Sequence, residues 1–391
     1  MKTISLAAAA LMLSATSTFA QEPIKIGFIS TFSGPSGQLG QELLDGFKLG
    51  LKSVGDKLGG RPVELIQGDD QTKPDVGRQL ADKMIESDRV QIITGINFSN
   101  VMLAVAKPVL EAGAFVFSIN AGPSQYAGKL CHPRYFNASF QNDTLPEAMG
   151  IYLRENGLKR AYLMAPNYPA GKDFLAGFKR TFKGEIAGEV YTAFGQLDYA
   201  AEIAQLRSVK PDAVFFFYPG GMGINFVKQY AQAGLKDQIK LYGPSFSMDQ
   251  TVLPGMGDAA VGAFVSTFWS EDFDKPASRK FAADFEAAYG RIPSPYAANA
   301  YDGARMLDAA LQSIGGKIED KAAFQKALET VKFDSVRGNF KFNSNHHPIQ
   351  DSYLAEIVKD AKGRPVMKKL ELIKAEQADS YVGECVMKAA N

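Results

Sequence analysis

The 391-residue chain has two cysteines, three histidines, one tryptophan and a net charge of only +1 at pH 7. Each scarcity excludes something. Near-neutral charge removes the electrostatic case for nucleic acid or an anionic membrane surface. His132, His346 and His347 are little material for a Ser-His-Asp triad, and no Gly-x-Ser-x-Gly elbow occurs. On an extended segment the adjacent His346 and His347 would face opposite ways, and no acidic third ligand lies in the same turn, so neither a metal site nor a cofactor is expected. The loop from Thr31 to Gly40, TFSGPSGQLG, lacks the Lys and Ser/Thr of a phosphate-holding Walker loop. No spaced carboxylate pair identifies a general acid and base. Binding without chemistry is the expectation.

No apolar run reaches the roughly 20 residues that cross a bilayer. Lys2, the mostly apolar stretch Ile4 to Met12 and the small residues of Ser17-Thr18-Phe19-Ala20 instead predict a secretory leader over 1–20, with cleavage expected before Gln21. No Cys stands at the cleavage point, so no lipid anchor is expected and the mature protein should diffuse in a periplasm. In that oxidising compartment Cys131 and Cys385 can form a disulfide; two separate buried thiols are the alternative. Hydrophobic residues make up 46% and charged residues 22% of the chain, as in folded soluble proteins. The roughly 370 mature residues exceed what one core usually supports, so two domains are expected.

Strands and helices alternate. Ile24, Ile26 and Phe28 predict a strand, and Leu43, Phe47 and Leu51 a helix at i, i+4 spacing. Strands follow at 63–66, 90–94 and 115–119, with helices carrying Val76, Leu80 and Met84 and then 100–112 between them. Such alternation demands a parallel sheet with right-handed crossovers. The grammar restarts after Cys131, with strands at 160–165, 187–193 and 212–217 and helices at 172–182 and 199–209. Helices dominate from 276 to 331, and strands return at 338–342, 353–358 and 366–370. The chain is therefore expected to cross between two lobes more than once.

In open parallel sheets ligands bind beyond the carboxyl ends of strands. Three loops there carry useful chemistry: Thr31 to Gly40, Gly95 to Asn100, and Ser118 to Ser124. Ser99 or Asn100 is expected to cap the following helix, leaving backbone N–H groups aimed at a ligand carboxylate.

The stretches IKIGFISTFSGPSGQLG, GDDQTKPDVGRQLADKMI, VQIITGINFS, AVAKPVLEAGAFVFSINAG, APNYPAGKDFLAGFK and GLKDQIKLYGPSF together resemble the solute-binding proteins of branched-chain amino acid type ABC transporters, the Leu/Ile/Val-binding family. The resemblance covers nearly all of the mature chain. It implies the α/β type I periplasmic binding fold: two Rossmann-like doubly wound lobes, a hinge of several crossovers, closure on a ligand, and delivery to an ABC permease in the inner membrane. The lobes are expected at 21–142 with 271–350 and at 143–270 with 351–391, in a monomer.

Carried over residue by residue, the resemblance puts a ligand carboxylate at Ser99, in the loop with Asn97 and Phe98, and at Asn120, Ala121 and Gly122. After Gly243-Pro244, amino-acid binders of the family carry an acidic residue for the ammonium group; this chain has Ser245, then Phe246. An ammonium closed into a dry cleft without a partner costs several kcal/mol, so an amino acid is disfavoured unless Asp249 or Asp302 supplies the charge. Tyr168, Tyr218, Phe246 and Tyr296, with Phe32, Leu39 and Phe98 opposite, are candidates to hold a ring. SINAGPSQYAGKLCHPRYF also resembles the branch that binds benzoates and hydroxycinnamates. The expected ligand is an aromatic monocarboxylate, its ring between Tyr168 and Phe246, with Tyr218, Ser245 or Asp302 bonded to a ring hydroxyl. A branched-chain or other amino acid, and a sensing role toward a signalling partner, are the alternatives.

Overall fold

The computed structural model describes residues 22–387; the leader expected at 1–20 lies outside the described residues. The first part of the chain runs β1 (Ile24–Ser30), α1 (Gly37–Ser53), β2 (Lys57–Leu58), β3 (Arg61–Asp69), α2 (Pro74–Glu86), β4 (Ile92–Thr94), α3 (Ser99–Glu111), β5 (Phe115–Ser118), α4 (Ser124–Ala127) and β6 (Tyr135–Asn137). These strands form one sheet in the order β2-β3-β1-β4-β5-β6. Within it β1 pairs in parallel with β3 and β4, and Ile24, Ile26 and Phe28 on one face and Ile29 on the other are fully buried, as a strand covered on both faces requires.

The second run is α5 (Thr144–Glu155), β7 (Arg160–Pro166), α6 (Pro169–Phe182), β8 (Glu185–Thr192), α7 (Ala200–Val209), β9 (Ala213–Phe216), α8 (Gly221–Gln232), β10 (Lys240–Pro244), α9 (Leu253–Met256) and β11 (Phe264–Thr267). The chain then returns to the first lobe as α10 (Pro276–Tyr289), α11 (Pro295–Ser313) and α12 (Lys321–Glu329). Helix α11 lies against α1 because Gly46 and Gly50 leave room for its backbone; a Cβ at Gly46 would overlap the Ala297 carbonyl. Finally β12 (Phe340–Phe342), β13 (Pro348–Lys359) and β14 (Pro365–Gln377) extend the second sheet, whose order is β12-β13-β11-β10-β9-β7-β8 with β14 on β13. Both lobes are thus doubly wound α/β units, as expected.

The lobe limits differ from the expectation in two places. β12 already pairs with β13 of the second sheet, yet the turn after it reaches back: Asn345 Nδ2 donates to the Ala127 carbonyl at 2.8 Å and Asn137 N to the His346 carbonyl at 2.9 Å. Residues 337–350 therefore belong to neither lobe alone. The tail beyond β14 also leaves the second lobe, since Cys385 is disulfide-bonded to Cys131. His346 and His347 are buried and stack on Phe136 and Tyr135.

Three segments cross between the lobes, and Arg337 touches all of them. Its guanidinium is fully buried, donates to the Ala138 and Ser139 carbonyls at 2.8 and 3.0 Å and to Gln350 Oε1 at 3.2 Å, and lies 5.7 Å from the Phe268 ring. Asp302 on α11 balances the charge at 2.9 Å and also accepts from Ser335 Oγ and Val336 N. Breaking one side of such a pair strands a buried charge. Arg337→Ala is expected to cost about 3–5 kcal/mol, read as a lower urea midpoint, whereas replacing Arg337 and Asp302 together by Met and Leu costs clearly less.

Candidate functional site

The crossings bring strand ends of both sheets against one cavity. It has about 350 Å³ of atom-free space, part of it open to solvent, of which only about 20 Å³ admits the centre of a water-sized sphere, so its walls stand nearly in contact. Its polar wall comes from the first lobe and the first crossing: Asn97, Ser99, Asn120 and Asn142. The other walls are mostly apolar, and Phe98, Phe140, Tyr168, Phe174, Phe217, Phe246 and Tyr296 give them an aromatic lining. No charged side chain lines it among the described residues.

Local structure explains the polar wall. Gly95, at φ +89°, turns the chain out of β4, and Asn97 Oδ1 then accepts from Thr31 N at 3.0 Å and from Ser30 Oγ. Its amide Nδ2 is buried with no partner. Asn120 donates from Nδ2 to the Asn97 carbonyl at 2.7 Å, leaving its own Oδ1 unpartnered. The cap of α3 is not Ser99 or Asn100, as expected, but Phe98, which offers no side-chain acceptor. Ser99 is the first helical residue, and the leading N–H groups of α3 have no side-chain cap. Ser99 Oγ instead accepts from Asn142 Nδ2 at 3.1 Å.

The aromatic walls come mainly from the second lobe. Phe246 stacks on Phe140 with centroids 4.3 Å apart and meets Tyr296 at 4.8 Å. Tyr296 projects from the start of α11, which Glu42 pins to α1 by accepting from Ser294 N at 2.8 Å. Burial raises the pKa of both Tyr168 and Tyr296 well above the usual phenol value, so both hydroxyls stay protonated donors. The lobes touch around the cavity: Phe98 of the first lies edge-on to Tyr168 and Phe194 of the second at 6.3 and 5.6 Å.

Nine of the fourteen expected ligand residues lie on the wall: Leu39, Asn97, Phe98, Ser99, Asn120, Ala121, Tyr168, Phe246 and Tyr296. Five do not. Phe32 stacks on Phe28 at 6.3 Å outside the cavity. Gly122 is pressed against the Phe140 carbonyl, which a Cβ would overlap, and its N–H faces Asn142 Oδ1 at 3.3 Å. Tyr218 points into the core of the second lobe against Tyr199 and Phe226, and its neighbour Phe217 takes the cavity side, since adjacent residues on extended chain face opposite ways. Ser245 is fully buried behind Phe246, and Asp302 is committed to Arg337. Phe140, Asn142, Ala170, Phe174 and Pro219 complete the wall with no forewarning in the sequence. Phe140 and Asn142 sit in a crossing that has no periodicity, and Phe174 reaches the cavity only because α6 closes over it.

A family model described as periplasmic binding protein matches residues 23–363. Leu/Ile/Val-binding protein homolog 6 of Brucella melitensis biotype 1 is 27% identical over 384 residues, which cover 95% of this chain and 97% of that protein. A solved ABC transporter solute-binding protein from R. palustris, in complex with benzoate, is 32% identical with a TM-score of 0.88, over 93% of this chain and 99% of that one. Another, from Rhodopseudomonas palustris BisB5 in complex with 3,4-dihydroxybenzoic acid, is 30% identical with a TM-score of 0.86, over 91% and 98%. The chain belongs to the periplasmic binding protein family. It is a solute-binding protein and not an enzyme, of the kind that passes a small molecule to an ABC permease.

Asp249, the other acid considered for an ammonium group, is fully buried and off the wall. Its Oδ1 accepts from Thr251 N and Oγ1 at 2.7 and 2.6 Å, while Oδ2 has no partner. Burial raises its pKa to about 7. The unfolded chain ionises it near the usual carboxylate value, so its ionisation costs stability as pH rises from about 4 to 7 and beyond. Asp249→Asn keeps both Thr251 bonds. The substitution is expected to raise the thermal midpoint at pH 8, with the gain shrinking by pH 5; equal gains at both would contradict the assignment.

Proposed function

We propose that the protein is an exported, monomeric receptor of an ABC importer that captures an aromatic monocarboxylate between its lobes. One observation carries the ligand class: the cavity joins neutral donors at one end to aromatic walls elsewhere and offers no anion to an ammonium group. The carboxylate lies at Asn97 Nδ2, Ser99 Oγ and the leading N–H groups of α3, which share its charge as donors. The ring lies between Tyr168 and the Phe246–Tyr296 pair. Benzoate and 3,4-dihydroxybenzoate are bound in the two similar solved proteins. Export to the periplasm rests on the leader pattern in residues 1–20 together with the family.

The Leu/Ile/Val-binding relatives favour an amino acid as a second reading. It requires a partner for the ammonium, and Asp302 is bound to Arg337 while Asp249 lies off the wall.

Calorimetric titration separates the two. Benzoate and 4-hydroxybenzoate are expected to bind more tightly than leucine, isoleucine, valine or phenylalanine; the opposite order returns the protein to the amino-acid branch. Ser99→Ala is expected to weaken benzoate by about 1.5–3 kcal/mol, the range of a hydrogen bond to a charged group. Unchanged affinity would remove Ser99 from the site.

A further inference from the structure

Asp173 lies on α6 of the second lobe, buried and off the cavity wall. Its carboxyl group meets three polar groups from outside that lobe. Ser124 N approaches Oδ2 at 3.0 Å, Ser124 Oγ approaches Oδ1 at 2.8 Å, and Asn142 Nδ2 approaches Oδ2 at 2.9 Å. Ser124 belongs to the first lobe, so its two bonds to Asp173 form only when the lobes meet; Asn142 belongs to the first crossing. The second hydrogen of Asn142 Nδ2 goes to Ser99 Oγ at 3.1 Å. An amide nitrogen has two hydrogens, and both are committed. Ser99 Oγ accepts one of them, which leaves its own hydrogen to be given to the cavity.

We propose that Asp173, acting through Asn142, is a positioning residue that turns the Ser99 hydroxyl into a donor as the lobes close, and that it does so as a neutral acid. Given the carboxylate ligand proposed above, this ties capture of the anion to closure and to uptake of one proton.

The hydrogen bonds by themselves favour the anion, but the same geometry also fits a protonated carboxyl. Oδ2 accepts from Ser124 N and Asn142 Nδ2, and a proton on Oδ1 is donated to Ser124 Oγ, which can accept it. The charges around Asp173 disfavour its anion. Asp143, whose charge acts on Asp173, and Glu147, both buried at the start of α5, hold Arg180 of α6 at 2.8 and 2.5 Å. Tyr381 of the tail donates to Asp143 at 2.8 Å and Ser380 to Glu147 at 2.6 Å. Arg180 is thus engaged elsewhere. Tyr168, at the head of α6, is neutral, and the first turn of α3, Ser99 to Met102, carries no charge. The ligand anion, two hydrogen bonds away, adds a further negative charge. Burial first, and then the charge of Asp143, raise the Asp173 pKa to about 6 against the hydrogen bonds from Asn142 and Ser124, which lower it. In the open, solvated cleft the group returns toward the usual carboxylate range. Closure between those values takes up a proton, so affinity rises as pH falls from 7 to 5.

Benzoate is titrated calorimetrically into the wild type, Asp173→Asn, Asp173→Ala and Asn142→Ala at pH 5, 6 and 7, in two buffers of unlike ionisation enthalpy. The wild type is expected to bind about tenfold more tightly at pH 5 than at pH 7, with proton uptake. Asp173→Asn, shaped like the neutral acid, is expected to lose the pH dependence and the uptake and to bind several-fold more tightly than the wild type at pH 7. Asp173→Ala is expected to bind at least tenfold more weakly at pH 5. Thermal unfolding without ligand checks that each variant folds; if Asp173→Ala does not, Asn142→Ala supplies the loss, and Ser99→Ala added to it should weaken binding little further. A wild-type profile flat in pH, or an Asp173→Asn profile parallel to it, overturns the relay while leaving the ligand class standing. A wild type that binds no benzoate or hydroxybenzoate overturns the ligand class and the relay with it.

Discussion

The buried Arg337–Asp302 pair is the interaction on which the arrangement depends. Two doubly wound lobes share three crossings, and nothing in either sheet dictates where those crossings lie relative to one another. Arg337 does: its guanidinium reaches carbonyls of the first crossing, faces the Phe268 ring of the second and stands at the start of the third. Asp302 ties this knot to α11, the helix that presents Tyr296 to the cavity. A buried ion pair gives little net stability against an apolar substitute. Its effect here is geometric, since a planar fork of donors accepts few alternative placements of its partners.

With the crossings held, the cavity inherits its chemistry from the ends of strands. The first sheet contributes amides and a hydroxyl from the loops after β4 and β5, and the second contributes rings. The anion proposed as ligand would thereby be met by neutral donors rather than by a buried cation, which avoids leaving an unpaired charge when the cleft is open and empty. An ammonium has no counterpart on the wall. The carboxylates nearby are engaged in the hinge, held off the wall, or set at the lobe contact.

Much of this was legible in the sequence, for identifiable reasons. Alternation in β1 and i, i+4 spacing in α1 mark the first lobe because burial on a repeating face leaves a repeating signature. The loops with Asn97, Ser99 and Asn120 were found because they follow strands. The failures are equally physical. Tyr218 and Ser245 sit one residue from wall residues, and sequence does not tell which way the last residue of a strand turns. Asp302 reads as a free acid until Arg337, distant in the chain, is seen beside it. Phe140, Asn142 and Phe174 reach the cavity through a crossing and through lobe closure, neither of which leaves a local pattern. Asp173 was passed over for the same reason: its partners come from the other lobe.

A crystal structure of the mature protein with benzoate tests the central claim most directly. The account predicts a closed cleft, the carboxylate within hydrogen-bond distance of Ser99 Oγ and Asn97 Nδ2, and the ring between Tyr168 and Phe246. A carboxylate turned toward the Phe246 end, or benzoate bound outside the cavity, would contradict it.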